Sequence, residues 1–170
     1  MTITSTEELR GWLDAGAALA GNDFDAAAIG LLDFAGLLDR RDVRAHVQIE
    51  TVPDRDGRDV RAAWIDWPAL ADVQKIGTLG GTQHRLLRLA LSIAHRTSID
   101  LRGALSDLGH AHARAVLAAV VRALGLAGDV DFTDSPAYLA RRRADQEAVQ
   151  ALLADRGLDA DGEPTTDARS

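Results

Sequence analysis

Apolar side chains recur at spacings of three and four near the start of the chain, at Leu9, Trp12, Leu13 and Ala17. This predicts an amphipathic helix with Thr6 as its cap and Glu7 and Glu8 in its first turn. Gly21 and Asn22 end it. Asp23 then caps a second helix with a broad apolar surface of Phe24, Ala28, Leu31, Leu32, Phe34 and Leu38, which Gly30 and Gly36 can interrupt. At Val43 the period becomes two: Val43, Ala45, Val47 and Ile49 alternate with Arg44, His46, Gln48 and Glu50, the pattern of a half-buried strand. Pro53-Asp54-Arg55-Asp56-Gly57 is turn chemistry, and Asp59 to Trp67 reads as the returning strand, with Val60, Ala62 and Trp64 on one face. The expected β-hairpin runs over about 43–67, and Pro68 opens a short helix through Leu70 and Val73.

The remainder reads as helical. A glycine-rich linker from Gly77 to Gly81 precedes a helix capped by Thr82, with Leu86, Leu87, Leu89, Ala90, Ile93 and Ala94 inside. Asp100 caps Leu101 to Leu108, Gly109 breaks that piece, and His110 to Leu124 forms the next helix, with Val116, Leu117, Val120 and Val121 inward. Gly125 and Gly128 end it. Ser135 and Pro136 supply the cap and first position of a last helix whose apolar side is Tyr138, Leu139, Val149, Leu152 and Leu153. The predicted class is α+β, mostly helical with one β-hairpin. Residues 1–157 are expected to form a single globular domain, and 158–170, with Leu158 as the one large apolar side chain, a disordered acidic tail.

Charge sharpens this picture. The 170 residues carry a formal net charge of −7, which disfavours a chain-wide attraction to nucleic acid or an anionic membrane. The charge is uneven. Residues 1–81 hold eight basic and fourteen acidic side chains, residues 82–124 six arginines and two aspartates, and residues 125–170 five basic and ten acidic side chains. A basic middle between acidic flanks fits either an anionic partner docking there or complementary packing between segments. With no cysteine there are no disulfides and no thiolate zinc sites, and with no apolar run at the N-terminus no signal peptide is expected, so a cytoplasmic location fits best.

Candidate chemistry is thin. Thr78 to Gln83 superficially resembles the signature loop of ABC-type ATPases, but the sole lysine, Lys75, is followed by Ile76 and Gly77 instead of completing a phosphate-binding loop. His110 and His112, two apart on a helix, point to nearly opposite sides and do not form a metal pair. Asp54-Arg55-Asp56-Gly57 and Asp159-Ala160-Asp161-Gly162 echo a calcium loop, yet each places an alanine, Ala63 or Ala168, where the bidentate glutamate belongs. No serine elbow occurs, and Trp12, Trp64 and Trp67 are better spent on the core than on a binding patch. No catalytic residue, cofactor or metal is expected.

From Leu79 to Gly125, Gly81 opens a helix that contains Leu86-Leu87-Arg88-Leu89-Ala90; Asp100-Leu101, Leu105, Leu108-Gly109 and Val116 to Ala123 follow. This stretch resembles a segment of small acidic uncharacterised proteins of actinobacteria and their phages. The resemblance covers about a quarter of the chain and rests on packing residues, so it carries over no functional residue and implies at most an accessory role. Eighteen arginines against one lysine fit the codon bias of such genomes. The function expected is a non-enzymatic protein–protein interaction or assembly module, whose partner is another protein or a second copy and not a membrane. Its candidate surface is Arg85, Arg88, Arg96, Arg102, His110, Arg114 and Arg122. The alternative is a helix-turn-helix-like nucleic-acid-binding regulator using residues 100–124.

Overall fold

The computed structural model describes residues 5–72 and 79–158. The expectations for Val73, for Lys75, for the linker at Gly77 and Thr78, and for the tail beyond Leu158 lie outside the described residues. The described chain holds helices α1 (Thr6–Ala20), α2 (Asp23–Phe34), α3 (Arg41–Arg44), α4 (Trp67–Asp72), α5 (Gly81–His95), α6 (Leu101–Leu105), α7 (His110–Ala123) and α8 (Pro136–Asp155). It also holds a 3₁₀ turn at Leu37–Asp39 and strands β1 (Val47–Pro53) and β2 (Asp59–Ile65). The class is α+β, mostly helical with one antiparallel hairpin. Two compact units are separable, Met1–Asp131 and Phe132–Ser170.

In the first unit, the caps of α1 and α2 fall one residue earlier than the sequence suggests, and that of α5 two residues earlier, while α6 and α7 start where the sequence places them. Ser5, not Thr6, caps α1: the Glu8 amide donates to Ser5 Oγ and the Ser5 amide to the Glu8 carboxylate, each at 3.1 Å. This reciprocal pair satisfies two free amides at once, which Thr6 has no partner to do. The Thr6 hydroxyl instead donates to Asp39 and accepts from Arg44. Asn22, not Asp23, caps α2, accepting from the amides of Phe24 and Asp25. Gly21, at φ +60°, closes α1 in a left-handed turn. Gly80, not Thr82, is the residue before α5.

The hairpin is shorter than the alternation implies. Val43 belongs to α3, where the amides of Arg44 and Ala45 donate to the carbonyls of Arg40 and Arg41, and β1 begins at Val47. Val43 and Val47 are four residues apart, which fits two periods of a strand or one turn of a helix; burial of Val43 within a helical turn decides. The register pairs Val47 with Ile65 through to Pro53 with Asp59. At the tip, Asp54 Oδ1 accepts from the amides of Asp56 and Arg58 at 2.8 Å, so this aspartate shapes a turn. The β2 face that joins the core is Ala63 and Ile65, opposite to the Val60–Trp64 face, although Ala62 is also buried.

Helix α2 is the centre of the unit, packing against α1, α5 and α7. Its Ala26, Ala27, Ala28, Ile29, Leu31 and Leu32 are all buried, so its middle is enclosed on more than one side by its three neighbours. Leu13, Leu37, Leu38, Val43, Leu70 and Leu86 complete the fully buried set, each side chain contributing about 1.5–3 kcal/mol by leaving water. Trp67 is buried and Trp12 packs against the core, with the Arg61 guanidinium 4.5 Å above its ring. The α1–β2 seam requires a glycine, since a Cβ on Gly16 would stand 2.1 Å from the Ala63 carbonyl oxygen.

In the second unit, Ser135 caps α8 by accepting from the Tyr138 amide, and Pro136 takes the first position. No residue of α8 is buried; Leu139, Val149 and Leu152 of its apolar side are exposed. Among the described residues, no helix is long and apolar enough to cross a membrane.

Candidate interaction surface

The basic segment 82–124 becomes α5, α6 and α7. Helices α5 and α7 contain no aspartate or glutamate. Arg85 is half-buried and donates to the Ser106 carbonyl at 2.7 Å, tying α5 to the end of α6. Arg88 and Arg102 are exposed, and Arg88 shares with Arg85, His84 and Asp100 a cleft of about 240 Å³. Arg96 is exposed at the C-terminus of α5 in a left-handed conformation, φ +55°, that costs a non-glycine residue about 1 kcal/mol or more. Arg122 is half-buried. None of Arg85, Arg88, Arg96, Arg102 and Arg122 forms an ion pair among the described residues. Of the N-terminal cations, Arg10 pairs with Asp14 and Asp33, Arg40 with Asp42, Arg44 with Asp39 and Arg58 with Asp56, while Arg41, Arg55 and Arg61 form no ion pair among the described residues.

Helix α7 opens with His110 exposed and Arg114 half-buried. Its inward stripe is Val116 and Ala119, both buried, and half-buried Ala123, with His112 one turn earlier. The His112 ring meets Phe34 of α2 edge-on at 5.5 Å. Leu117 and Val120, expected inside, face solvent, Leu117 at 51% exposure, and Val121 is half-buried. Helix α7 packs chiefly against α2, and Val116 and Ala119 are the residues of α7 that this packing buries. Only one stripe can occupy that contact.

The other stripe, Leu117, Val120 and Leu124, repeats at three and four and runs along the open side of α7. Beside it, Phe24 at the start of α2 is 55% exposed and Leu124 65%. Phe24, Ile93, Arg96, Val120, Ala123 and Leu124 line a groove of about 450 Å³ between the ends of α5 and α7. Most of the lining is apolar, with Asn22, Ser92 and Arg96 as its polar residues. Asp23 reaches the neighbouring Gly125 end.

The sequence singled out the arginines but not Phe24, Leu117, Val120 and Leu124 as a surface. The signal was present: from His110 to Leu124 only His110, His112, Arg114 and Arg122 are polar, so α7 has no continuous polar face to give to water. Other groups do not converge. Among the described residues, no three His, Asp or Glu side chains are placed to hold a metal ion. Asp25, half-buried under Trp67, has its carboxyl pushed above the ordinary value by burial, partly offset by a hydrogen bond with Trp67.

The chain matches no protein-family model, and no curated protein or solved structure proves similar to it. The surface is therefore read on its own physical terms.

Proposed function

We propose that this chain is a non-enzymatic protein–protein interaction or assembly module, acting as a subunit or accessory factor of a larger complex. One observation carries the reading: α7 is apolar on both its α2-facing side and its open side, and the open stripe of Leu117, Val120 and Leu124 borders a groove. A helix of that composition is ordinarily enclosed. Covering the stripe with a partner would remove large aliphatic side chains from water, at about 25 cal/mol per Å² of apolar area. The test is affinity purification of the whole chain with identification of co-eluting proteins and determination of the solution mass, run beside Leu117→Glu. A stoichiometric companion or a second copy that the variant loses supports the module; a lone monomer in both overturns it.

A second reading, binding of nucleic acid, draws on Arg88, Arg102 and Arg122, which form no ion pair among the described residues. Its weakness is the helix assigned to base contact, since the start of α7 offers only His110, His112 and Arg114, and His112 is engaged with Phe34. Salt-sensitive retention on duplex DNA, lost on replacing Arg114 and Arg122, would favour it; no retention at low salt removes it.

A further inference from the structure

We propose that the outer edge of β1 is a self-association surface, on which a second copy of the chain adds its own β1 antiparallel, with Ile49 facing Ile49 across a two-fold axis. The surface lies apart from the α7 stripe and uses none of its residues. The two edges of the hairpin are finished differently. In β2, Ala63 belongs to a pair that exchanges no hydrogen bonds, so its carbonyl points away from β1, and Gly16 of α1 lies so close to it that a Cβ would collide. Helix α1 thus covers the β2 edge. The Asp54 amide donates to the Arg58 carbonyl at 2.8 Å and the Asp66 amide to the His46 carbonyl at 2.9 Å, which fixes the alternation: His46, Gln48, Glu50 and Val52 turn their backbone groups to β2. Val47, Ile49 and Thr51 therefore turn theirs outward, and among the described residues nothing bonds to them. Strand β2 is the one described element with which β1 makes extensive contact, and Ile49 is 40% exposed although it shares the face that Ala63 and Ile65 carry into the core.

An open edge takes a strand of matching pattern, and β1 matches itself. Pairing two copies about Ile49 sets Val47 opposite Thr51 and Gln48 opposite Glu50, each twice by symmetry. The outward residues Val47, Ile49 and Thr51 then exchange both amide-to-carbonyl bonds with the residues they face. Gln48 and Glu50 meet at the closer positions between these bonds, where the Gln48 side-chain amide donates to the Glu50 carboxylate and no like charges oppose. On the other face the two Ile49 side chains shield each other from water. The ladder also ends itself: beyond Thr51 stands Pro53, which has no amide, and the Ala45 it would face already donates its own amide to the Arg41 carbonyl. Neighbouring registers are poorer. An axis at Glu50 brings the two Glu50 carboxylates face to face, and an axis at Gln48 sets Thr51 against Ala45, whose amide is taken. A foreign strand would have to supply the β-branched and amide–carboxylate partners that a second copy already carries.

The test uses the whole chain, sedimentation over a range of concentrations, and cysteine crosslinks, which a chain without native cysteine reports cleanly. The wild type should reach the mass of two chains as concentration rises. Thr51→Pro removes an outward amide and no bond to β2, so it should weaken the dimer at least about tenfold while leaving the thermal midpoint in place. Ile49→Lys, which keeps every backbone bond of the hairpin, should do the same and guards against a folding defect in the proline variant. Gln48→Cys mixed with Glu50→Cys should form a disulfide dimer at least about tenfold faster than either variant alone, because position 48 faces position 50 of the other copy, whereas like positions stand beyond the ~7 Å that a disulfide spans. The mass of one chain at every concentration overturns the proposal, and so does equal crosslinking of the mixture and the single variants. A dimer that Leu117→Glu dissolves and both edge variants leave intact places the contact on α7, overturning the edge while supporting the interaction reading. A dimer lost in the edge variants and kept in Leu117→Glu supports the edge alone.

Discussion

Residues 5–72 and the α5–α7 segment are built from similar helices, yet they finish their surfaces differently. In the first region Arg10 is clamped by Asp14 and Asp33, Arg44 reaches Asp39 and Thr6, and the apolar residues of α1 are covered by β2 and α2. In the second, five arginines have no ion pair among the described residues, and α7 leaves an aliphatic stripe in water. The contrast is one of degree, since the first region also exposes Phe34 and Ile49, but α7 has a continuous aliphatic stripe that the described fold does not cover. Partly exposed ion pairs contribute about 0–1 kcal/mol each, so the pairing in the first region is chiefly a matter of surface compatibility, whereas the leucines below it carry the stability.

The contrast breaks most visibly at matched leucines. Leu13→Ala, in the fully buried region, should lower unfolding free energy by about 2–5 kcal/mol in urea denaturation, while Leu124→Ala should change it by no more than about 0.5 kcal/mol. Equal losses would mean that the α7 stripe is structural after all. Next in size, Gly16→Ala should cost about 1–3 kcal/mol, because the added methyl meets the Ala63 backbone oxygen, which cannot rotate away as a side chain would. Thermal melting checks it.

The smallest effect concerns the Asp25 carboxyl beside Trp67. Its folded value is raised by burial, so its favourable contribution is complete below the unfolded value near 3.8 and is lost as pH rises through the folded value. Asp25→Asn removes that dependence and keeps an acceptor for Trp67. Wild type should therefore lose stability relative to the variant as pH rises above the ordinary carboxylate range, measured by urea titration at a series of pH values. Parallel curves would show that Asp25 is not desolvated.

Much of the fold was legible where one local rule acted alone. The α1 periodicity, the turn at Asp54–Gly57 and the Ser135-Pro136 start of α8 each follow from spacing or backbone preference over a few residues. Helix caps slipped by one residue because adjacent Ser5 and Thr6, or Asn22 and Asp23, offer nearly the same chemistry and only the three-dimensional partners discriminate. Arg96 and its neighbours were visible as a basic run. The apolar half of the candidate surface was not, since Leu117 and Val120 read as core.

By itself, the amino-acid order determined that there would be a helix pair, one hairpin and further helices, and that α5 and α7 would carry positive charge and no acid. Tertiary structure decided that Val43 would close a helical turn and that Val116, Ala119 and Ala123, rather than Leu117, Val120 and Leu124, would face α2. Periodicity specifies which side chains share a stripe, but when two stripes of one helix are both apolar, only the shape of the neighbouring helix selects the one that is buried.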